Sequence, residues 1–232
     1  MIPQGFLNPD DIPIIQMTDP ADDPTTDPAD DPTTDPADDP TDDPADDPVK
    51  EFPFKDVKKG DWSYDDIYYV WDNGLMKGME EDLFVPQGTT TRAQFALVIY
   101  RMAGSPTLTE EDYAKCPFTD LVDNWYKDAV VWAYNAKVVT GVTDTTFVPG
   151  ANITREQMVA MLYRYSGETG AAGDLSKIKD ADAISDYAKP AVAWAVANGI
   201  ISGFPDGTFQ PNGNATREQM AAVITRFDKL GK

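Results

Sequence analysis

Residues 203–219 read GFPDGTFQPNGNATREQ, and this stretch occurs twice more, as GMEEDLFVPQGTTTRAQ at 78–94 and GVTDTTFVPGANITREQ at 141–157. Each copy starts with a glycine, continues to Phe-x-Pro and ends in Thr-Arg-x-Gln. The copies are 63 and 62 residues apart. A register kept over such distances indicates one structural unit written three times.

Residues outside this stretch keep the same register. An aromatic residue lies upstream of each glycine, a second arginine lies nine positions after the first, and an apolar residue followed two positions later by Asp opens each unit. These residues are Trp62, Trp125 and Tyr187, then Arg101, Arg164 and Arg226, then Phe54/Asp56, Phe118/Asp120 and Ile178/Asp180. The units are therefore placed at residues 52–113, 116–176 and 177–232.

The first helix of each unit is predicted from an apolar face of period 3.6. In the second unit this helix covers Trp125 to Lys137, and its apolar face is Ala129, Val130, Ala133 and Tyr134. Gly74 and Gly199 fit left-handed caps at the ends of the outer first helices. Lys137 stands in that position in the second unit, where its Cβ atom makes a left-handed conformation strained.

The second helix of each unit is predicted to start just after a threonine. Thr91, Thr154 and Thr216 are each followed three positions later by Gln, which is a capping box. The apolar residues then recur at i, i+3, i+4 and i+7. They are Phe95, Val98, Ile99 and Met102, then Met158, Met161, Leu162 and Tyr165, then Met220, Val223, Ile224 and Phe227.

One such pair of helices cannot bury its apolar stripe alone. Three pairs can, by packing around a common axis, and about 180 residues suffice for a single core. We therefore predict an all-α fold in which three helix-loop-helix repeats form one pseudo-threefold helical bundle. A single chain supplies all three repeats, so we expect it to be a monomer.

The region before the repeats has a different composition. Residues 1–49 contain 15 of the 40 acidic residues and no Lys or Arg, and from Pro20 to Pro48 every fourth residue is a proline preceded by Asp. Residues 19–49 are predicted to be a disordered, extended acidic spacer, with weak calcium binding by its Asp pairs as the alternative. Residues 1–18 form a separate N-terminal segment without the basic region of a secretory signal peptide.

Composition excludes several classes of function. The formal net charge of −21 is the wrong sign for a protein that binds nucleic acid. The chain has no His and a single Cys, Cys116, and we find no nucleophile elbow, phosphate loop or metal-ligand constellation. We therefore expect no enzyme, no cofactor and no metal site. No apolar run approaches 18 residues, so membrane insertion is not expected.

The arginines that follow the capping threonines are candidate ligand-binding residues. A cation at the positive end of a helix is unfavourable for the helix itself, whereas an anion there would meet both a guanidinium and free backbone N–H groups. The alternative is a salt bridge between repeats, to Asp56, Asp120 or Asp180. If the arginines serve the ligand alone, replacing all three by Ala abolishes binding and leaves Tm nearly unchanged. They are Arg92, Arg155 and Arg217.

Aromatic rings and glycines complete the predicted site. Trp62, Trp125 and Tyr187 could face a sugar ring in grooves between repeats, or could be core packing at the helix starts. Gly78, Gly141 and Gly203 could let the backbone approach a ligand closely, or could be needed only for the turn. The residues after each glycine differ between the copies, so we expect the three grooves to be non-equivalent.

The order of Asp, Trp, helix, Gly, Asp-Gly-Thr-Phe-x-Pro and Thr-Arg-x-Gln resembles the S-layer homology repeat, a family usually found in threes. The resemblance covers residues 52–232. It implies an extracellular module that anchors proteins non-covalently to a Gram-positive-type cell wall or S-layer, through an anionic and often pyruvylated secondary wall polysaccharide. The family's usual Thr-Arg-Ala-Glu is Thr-Arg-x-Gln here, which keeps the cap but loses a carboxylate.

Sites of this kind are expected to be weak singly and effective together, because repeated sites on a repeating polymer raise the effective concentration of the later contacts. The alternative function is a protein-interaction or S-layer lattice-assembly module that does not contact glycan. Retention on cell walls that is lost after the wall polysaccharide is stripped would separate the two.

Overall fold

The computed structural model describes residues 51–122, 125–170 and 173–231. These residues form seven α-helices and one short 3-10 turn, with no strand, which confirms the all-α class. The helices are α1 Tyr64–Asp72, α2 Arg92–Met102, α3 Glu110–Lys115, α4 Lys127–Asn135, α5 Arg155–Tyr165, α6 Lys189–Ala197 and α7 Arg217–Asp228, and the 3-10 turn is Ala181–Ala183. None of these helices is long and apolar enough to cross a bilayer. The spacer and calcium predictions for residues 19–49 lie outside the described residues.

The helices pack in a ring in which each repeat is completed by its neighbour. Helix α2 packs on α4, α5 packs on α6, and α7 packs on α1. The second helix of one repeat therefore covers the first helix of the next, and the third repeat closes on the first. This arrangement confirms the pseudo-threefold bundle. The principal helix contacts join different repeats, in agreement with the expectation that one pair of helices cannot bury its apolar stripe alone.

Three backbone hydrogen bonds close a triangle between the repeats. The Thr90 N–H donates to the Ala215 carbonyl at 2.9 Å, the Ala215 N–H to Ile153 at 3.0 Å, and the Ile153 N–H back to Thr90 at 2.9 Å. The three residues occupy equivalent positions of the repeat and are buried. Because each bond needs the next repeat, no single repeat forms this element alone.

The second helices begin and pack as predicted. Each of α2, α5 and α7 has a capping box in which the threonine side chain accepts from the backbone N–H of the Gln and the Gln side chain accepts from the threonine N–H. Their apolar stripes lie in or against one core, and the loop phenylalanines are fully buried. Those phenylalanines are Phe84, Phe147 and Phe209.

The first helices are shorter than expected. Helix α4 covers Lys127–Asn135, and the aromatic residue of each repeat lies two positions before the helix. The N-cap residues Ser63, Tyr126 and Ala188 make no side-chain capping bond, so no local signal marks these starts. Helix α3 was not predicted, although its capping box, Thr109 with Asp112, was readable from the sequence.

The caps of the first helices adopt the predicted left-handed conformation. The φ angles are +68° at Gly74, +69° at Gly199 and +60° at Lys137. A lysine in this region of backbone space is strained by about 1–2 kcal/mol, whereas glycine is not.

Replacing this lysine by glycine should therefore stabilise the protein. We expect Lys137→Gly to raise the free energy of unfolding by about 1 kcal/mol and Tm by roughly 2–4 °C. Thermal unfolding followed by circular dichroism measures the change. Gly199→Ala is the matched control: it introduces a Cβ atom at the equivalent left-handed cap of the third repeat and should lower Tm. An unchanged or lower Tm for Lys137→Gly would contradict the strain at this cap.

Candidate functional site

The Phe-x-Pro loops are strained at the same place in all three repeats. The residue after the phenylalanine has a positive φ: +59° at Val85, +57° at Val148 and +54° at Gln210. This conformation is unfavourable for any residue with a Cβ atom and rare for a β-branched one. The surrounding contacts must therefore hold each loop in place.

An aspartate holds each strained loop from within its own repeat. The Asp56 carboxylate accepts from the backbone N–H of Phe84 at 2.9 Å and of Val85 at 2.7 Å. Asp120 and Asp180 accept from the corresponding pairs of N–H groups in the other repeats. These hydrogen bonds to the loop backbone explain why an aspartate recurs at the same position in all three repeats.

An arginine holds the same loop from the preceding repeat. The Arg217 Nε donates to the Phe84 carbonyl at 2.7 Å, and its Nη2 donates to the Lys77 carbonyl at 2.6 Å. The corresponding contacts are Arg92 to Phe147 O at 2.9 Å and Thr140 O at 3.0 Å, and Arg155 to Phe209 O at 2.7 Å and Gln219 Oε1 at 2.8 Å. All three arginines therefore tie one repeat to the next.

These arginines are buried cations. Arg92, Arg155 and Arg217 are 5–8% exposed, and each guanidinium carbon lies 4.4–5.1 Å from the centroid of the loop phenylalanine that it holds. Burial lowers the pKa of Arg155 and of Arg217 to about 10 and also lowers that of Arg92. All three remain charged at neutral pH.

The backbone N–H groups at these helix starts are not free, so that part of the sequence prediction is wrong. The Arg92 N–H donates to Ala151 O at 2.9 Å, and the next N–H, of Ala93, donates to Pro149 O at 3.1 Å. The other two helices make the same bonds, and the capping threonine takes the third N–H. The predicted anion site at the helix terminus is occupied by the neighbouring repeat.

The alternative prediction, a salt bridge between repeats, is also wrong. Among the described residues, no ion pair within 4.0 Å joins the three arginines to Asp56, Asp120 or Asp180. The aspartate accepts hydrogen bonds from N–H groups of the loop, and the arginine donates a hydrogen bond to a carbonyl group of the same loop. The two charges act on opposite sides of one segment of backbone.

One cavity between repeats has a volume of about 510 Å³ and is named here the Trp62 groove. Each repeat contributes to it. Its lining includes Trp62 from the first repeat, Arg155 from the second, and Gly203, Phe204, Glu218 and Arg226 from the third.

A second cavity, of about 130 Å³, is built in the same way and is named the Trp125 groove. Trp125 comes from the second repeat, Arg217 from the third, and Lys77, Gly78 and Arg101 from the first. The predicted arginine, glycine and aromatic residue thus meet in one groove, although each belongs to a different repeat.

The equivalent position at the third boundary is named the Tyr187 junction. Arg92 there donates to the carbonyl of Thr140, the residue before Gly141. The Tyr187 hydroxyl donates to Glu156 Oε1 at 3.0 Å, and burial beside this carboxylate raises the pKa of Tyr187 to about 12. The Tyr187 hydroxyl therefore already donates its hydrogen bond within the protein.

The aromatic residues lie at the surface and not in the core. Trp62 is 60% exposed, Trp125 54% and Tyr187 52%. Exposed indole rings beside a cavity can stack on a ligand at little cost, because their apolar faces already meet water.

The loop glycines are required by the turn itself. A Cβ atom on Gly78 would lie 2.4 Å from the Glu80 carbonyl, and one on Gly141 would lie 2.1 Å from that of Thr143. Gly203 also has a φ of +75°. These contacts explain the repeated glycines without a ligand.

The second arginines were not predicted as site residues. Arg101 Nη1 donates to the Leu75 carbonyl at 2.8 Å and Arg226 Nη1 to that of Ile200 at 3.2 Å, just past the end of the first helix of the same repeat. Arg101 also lines the Trp125 groove, and Arg226 the Trp62 groove. Their constant spacing from the first arginines was the available signal.

Comparison with known proteins agrees with this architecture. The family model of the S-layer homology domain matches residues 53–96, 117–159 and 177–221. Over 178 residues the chain is 39% identical to an endoglucanase of Bacillus sp. (strain KSM-635), covering 75% of this chain and 18% of that protein. It is 29% identical over 178 residues to the S-layer protein sap of Bacillus anthracis, covering 76% and 21%.

A third relative is the cellulosome-anchoring protein of Acetivibrio thermocellus, 28% identical over 160 residues, with 68% of this chain and 36% of that protein covered. The chain thus spans well under half the length of these curated relatives. It belongs to the S-layer homology domain family, since the three matches cover more than half of its residues. It carries a non-catalytic cell-surface anchoring module of the cell wall or S-layer of Gram-positive-type bacteria.

The contacts of the arginines change the expected effect of their removal. Arg217→Ala leaves the Phe84 and Lys77 carbonyls without their donors, and a hydrogen bond to a charged group contributes about 1.5–3 kcal/mol. We expect a loss of about 2–4 kcal/mol in the free energy of unfolding, measured by urea titration.

The control is Lys77→Ala, which removes one positive charge from an exposed side chain and should change stability by less than about 0.5 kcal/mol. Arg217→Lys should recover only part of the loss, because an ammonium does not reproduce the fork of donors. If Arg217→Ala were as stable as the wild type, the hydrogen bonds of Arg217 would contribute nothing to stability. The expectation that the arginines serve only a ligand would then hold.

Proposed function

We propose that this chain is a monomeric module that anchors a protein to the cell wall by binding an acidic secondary wall polysaccharide in the grooves between its repeats. The acidic group is a pyruvate ketal or a comparable carboxylate. The single observation that carries the proposal is the meeting of an exposed Trp ring with guanidinium groups in both the Trp62 groove and the Trp125 groove.

The guanidiniums keep donors for a ligand although they hold the loops. Nη1 of Arg217 and Nη2 of Arg155 have no hydrogen-bond partner among the described residues, and neither is sealed from solvent. An N–H donor at the edge of a cavity, fixed by two other bonds, is well placed for a carboxylate. The same side chain therefore supports the fold and faces the groove.

The arrangement suits a saccharide. An indole ring covers the apolar face of a pyranose, and nearby polar side chains bind hydroxyl groups. Gln87 and Gln219 in the Trp62 groove and Gln94 in the Trp125 groove can do so. The net negative charge of the chain does not oppose this, since charges more than about 8 Å away are screened at physiological salt.

Two grooves on one rigid ring favour a polymer over a single sugar. When one groove holds a chain of repeating units, the second groove meets a high local concentration of the same unit. We expect avidity gains of roughly 100-fold or more over a single groove. The ring is complete within one chain, so anchoring requires no second copy.

Binding to cell walls tests the proposal. The full chain should be retained by walls purified from the organism that produces it and should be released after the non-peptidoglycan polymer is stripped from them. Trp62→Ala combined with Trp125→Ala should lower retention at least tenfold, measured by depletion of the protein from solution.

Both tryptophan side chains are more than half exposed, so the double variant should keep Tm within about 2 °C of the wild type. Leu230→Ala is the control, because Leu230 is an exposed apolar residue that lines neither groove. Equal retention on intact and stripped walls, or on neither, would exclude the polysaccharide and favour a protein-interaction or lattice-assembly module.

A further inference from the structure

The second residue of helices α2, α5 and α7 is acidic in two repeats and apolar in one. It is Ala93 in α2, Glu156 in α5 and Glu218 in α7. Both glutamates are buried, with 4% and 7% of their surface exposed. Two boundaries between repeats therefore contain a buried carboxylate, and the third contains a methyl group.

One of these buried carboxylates, that of Glu218, lies on the wall of the Trp62 groove. Glu218 accepts from Gln87 Nε2 at 2.6 Å and from Ser63 Oγ at 3.3 Å, and it lines the Trp62 groove. Among the described residues it has no ion-pair partner within 4.0 Å. Its hydrogen-bond donors are neutral groups, so no cation is paired with this carboxylate.

Glu156 is held in the same manner at the Tyr187 junction. It accepts from the N–H of Ser185 at 2.9 Å, from its hydroxyl at 2.7 Å and from the Tyr187 hydroxyl at 3.0 Å. These donors are neutral too. A carboxylate ligand near Arg92 would approach a fixed negative charge, and the tyrosine hydroxyl would already be occupied.

The Trp125 groove has the opposite balance. Three cationic residues line it, Lys77, Arg101 and Arg217, and no carboxylate is among its lining residues in the described part of the chain. Glu80 and Glu81, in the same loop, line an adjoining cavity that shares Lys77 and Gly78 with the Trp125 groove. In the Trp62 groove, by comparison, two arginines share the lining with Glu218.

We propose that Ala93 makes the Trp125 groove the principal binding site for the acidic group of the ligand, with the Trp62 groove as a weaker second site. This inference rests on the proposed function and assigns specificity within it. A negative charge on the groove wall repels an anionic ligand several ångströms away at an effective dielectric constant near 20. The expected difference in affinity is about tenfold or more.

The position equivalent to Ser63 also differs in the second repeat. Ser63, which donates to Glu218, is replaced in the second repeat by Tyr126, a buried residue whose ring packs against Trp125 with centroids 5.2 Å apart. The positions that hold Glu218 and Ser63 at one boundary are thus held by Ala93 and Tyr126 at another. The exchange removes a charge and supports the exposed indole.

The test introduces the missing charge. The full chain and its variants are titrated with purified walls, and the apparent Kd is read from depletion. Ala93→Glu should raise the apparent Kd about tenfold, whereas Ala93→Gln, which has the same size and no charge, should stay within about threefold of the wild type. Because α5 and α7 carry Glu at this position, the helix itself tolerates the substitution.

The double variant Ala93→Glu/Tyr126→Ser carries the same two residues as the Trp62 groove. It replaces Ala93→Glu in the titration if the glutamate alone lowers Tm. It too should bind about tenfold more weakly. Equal affinities of the Glu and Gln variants would overturn the role of charge at position 93 while leaving wall binding intact. Failure of the wild type itself to bind walls would instead overturn the proposed function.

Discussion

The fold depends on an arginine that crosses from one repeat into the loop of the next. Arg217 belongs to the last helix, yet its guanidinium donates to the Phe84 carbonyl, 133 positions away in the chain. Asp56 binds the N–H groups on the other side of that loop. Between them the two side chains hold Val85 in a left-handed conformation that it would not adopt alone. Since the same clamp operates at all three boundaries, loss of one repeat would leave both a strained loop and a buried cation without partners.

This clamp also explains how a small helical ring obtains binding grooves. Each groove lies where three repeats meet, so its tryptophan, guanidinium and glycine loop converge only when the ring is closed. A guanidinium fixed by two carbonyl groups has lost its rotational freedom before any ligand arrives, which lowers the entropy cost of binding. Stability and recognition therefore share one residue, and a loss of wall binding in an arginine variant would not by itself identify a ligand contact. The exposed tryptophans and position 93 separate the two roles.

The sequence was sufficient for the local features. Capping boxes, apolar stripes and the strained cap at Lys137 were predictable, because each depends on residues within one or two helical turns. The helix pairing and the partners of the arginines were not predictable, because both are set by closure of the ring between distant residues. The free N–H groups expected beside Arg92 are bonded to the next repeat for the same reason. The positions of Arg, Trp and Gly in common grooves followed from the shared register, but their origin in three different repeats did not.

The central claim is that the three repeats form one cooperative ring, and hydrogen exchange at its central triangle tests this most directly. The amides of Thr90, Ile153 and Ala215 each donate to a different repeat. In the wild type all three should exchange with the same free energy of opening, close to that of global unfolding. In Arg217→Ala, which breaks only the boundary between the third and first repeats, the protection of all three amides should fall together by the same amount. Faster exchange at Thr90 alone, with Ile153 and Ala215 unchanged, would show that the repeats are independent and would contradict the account.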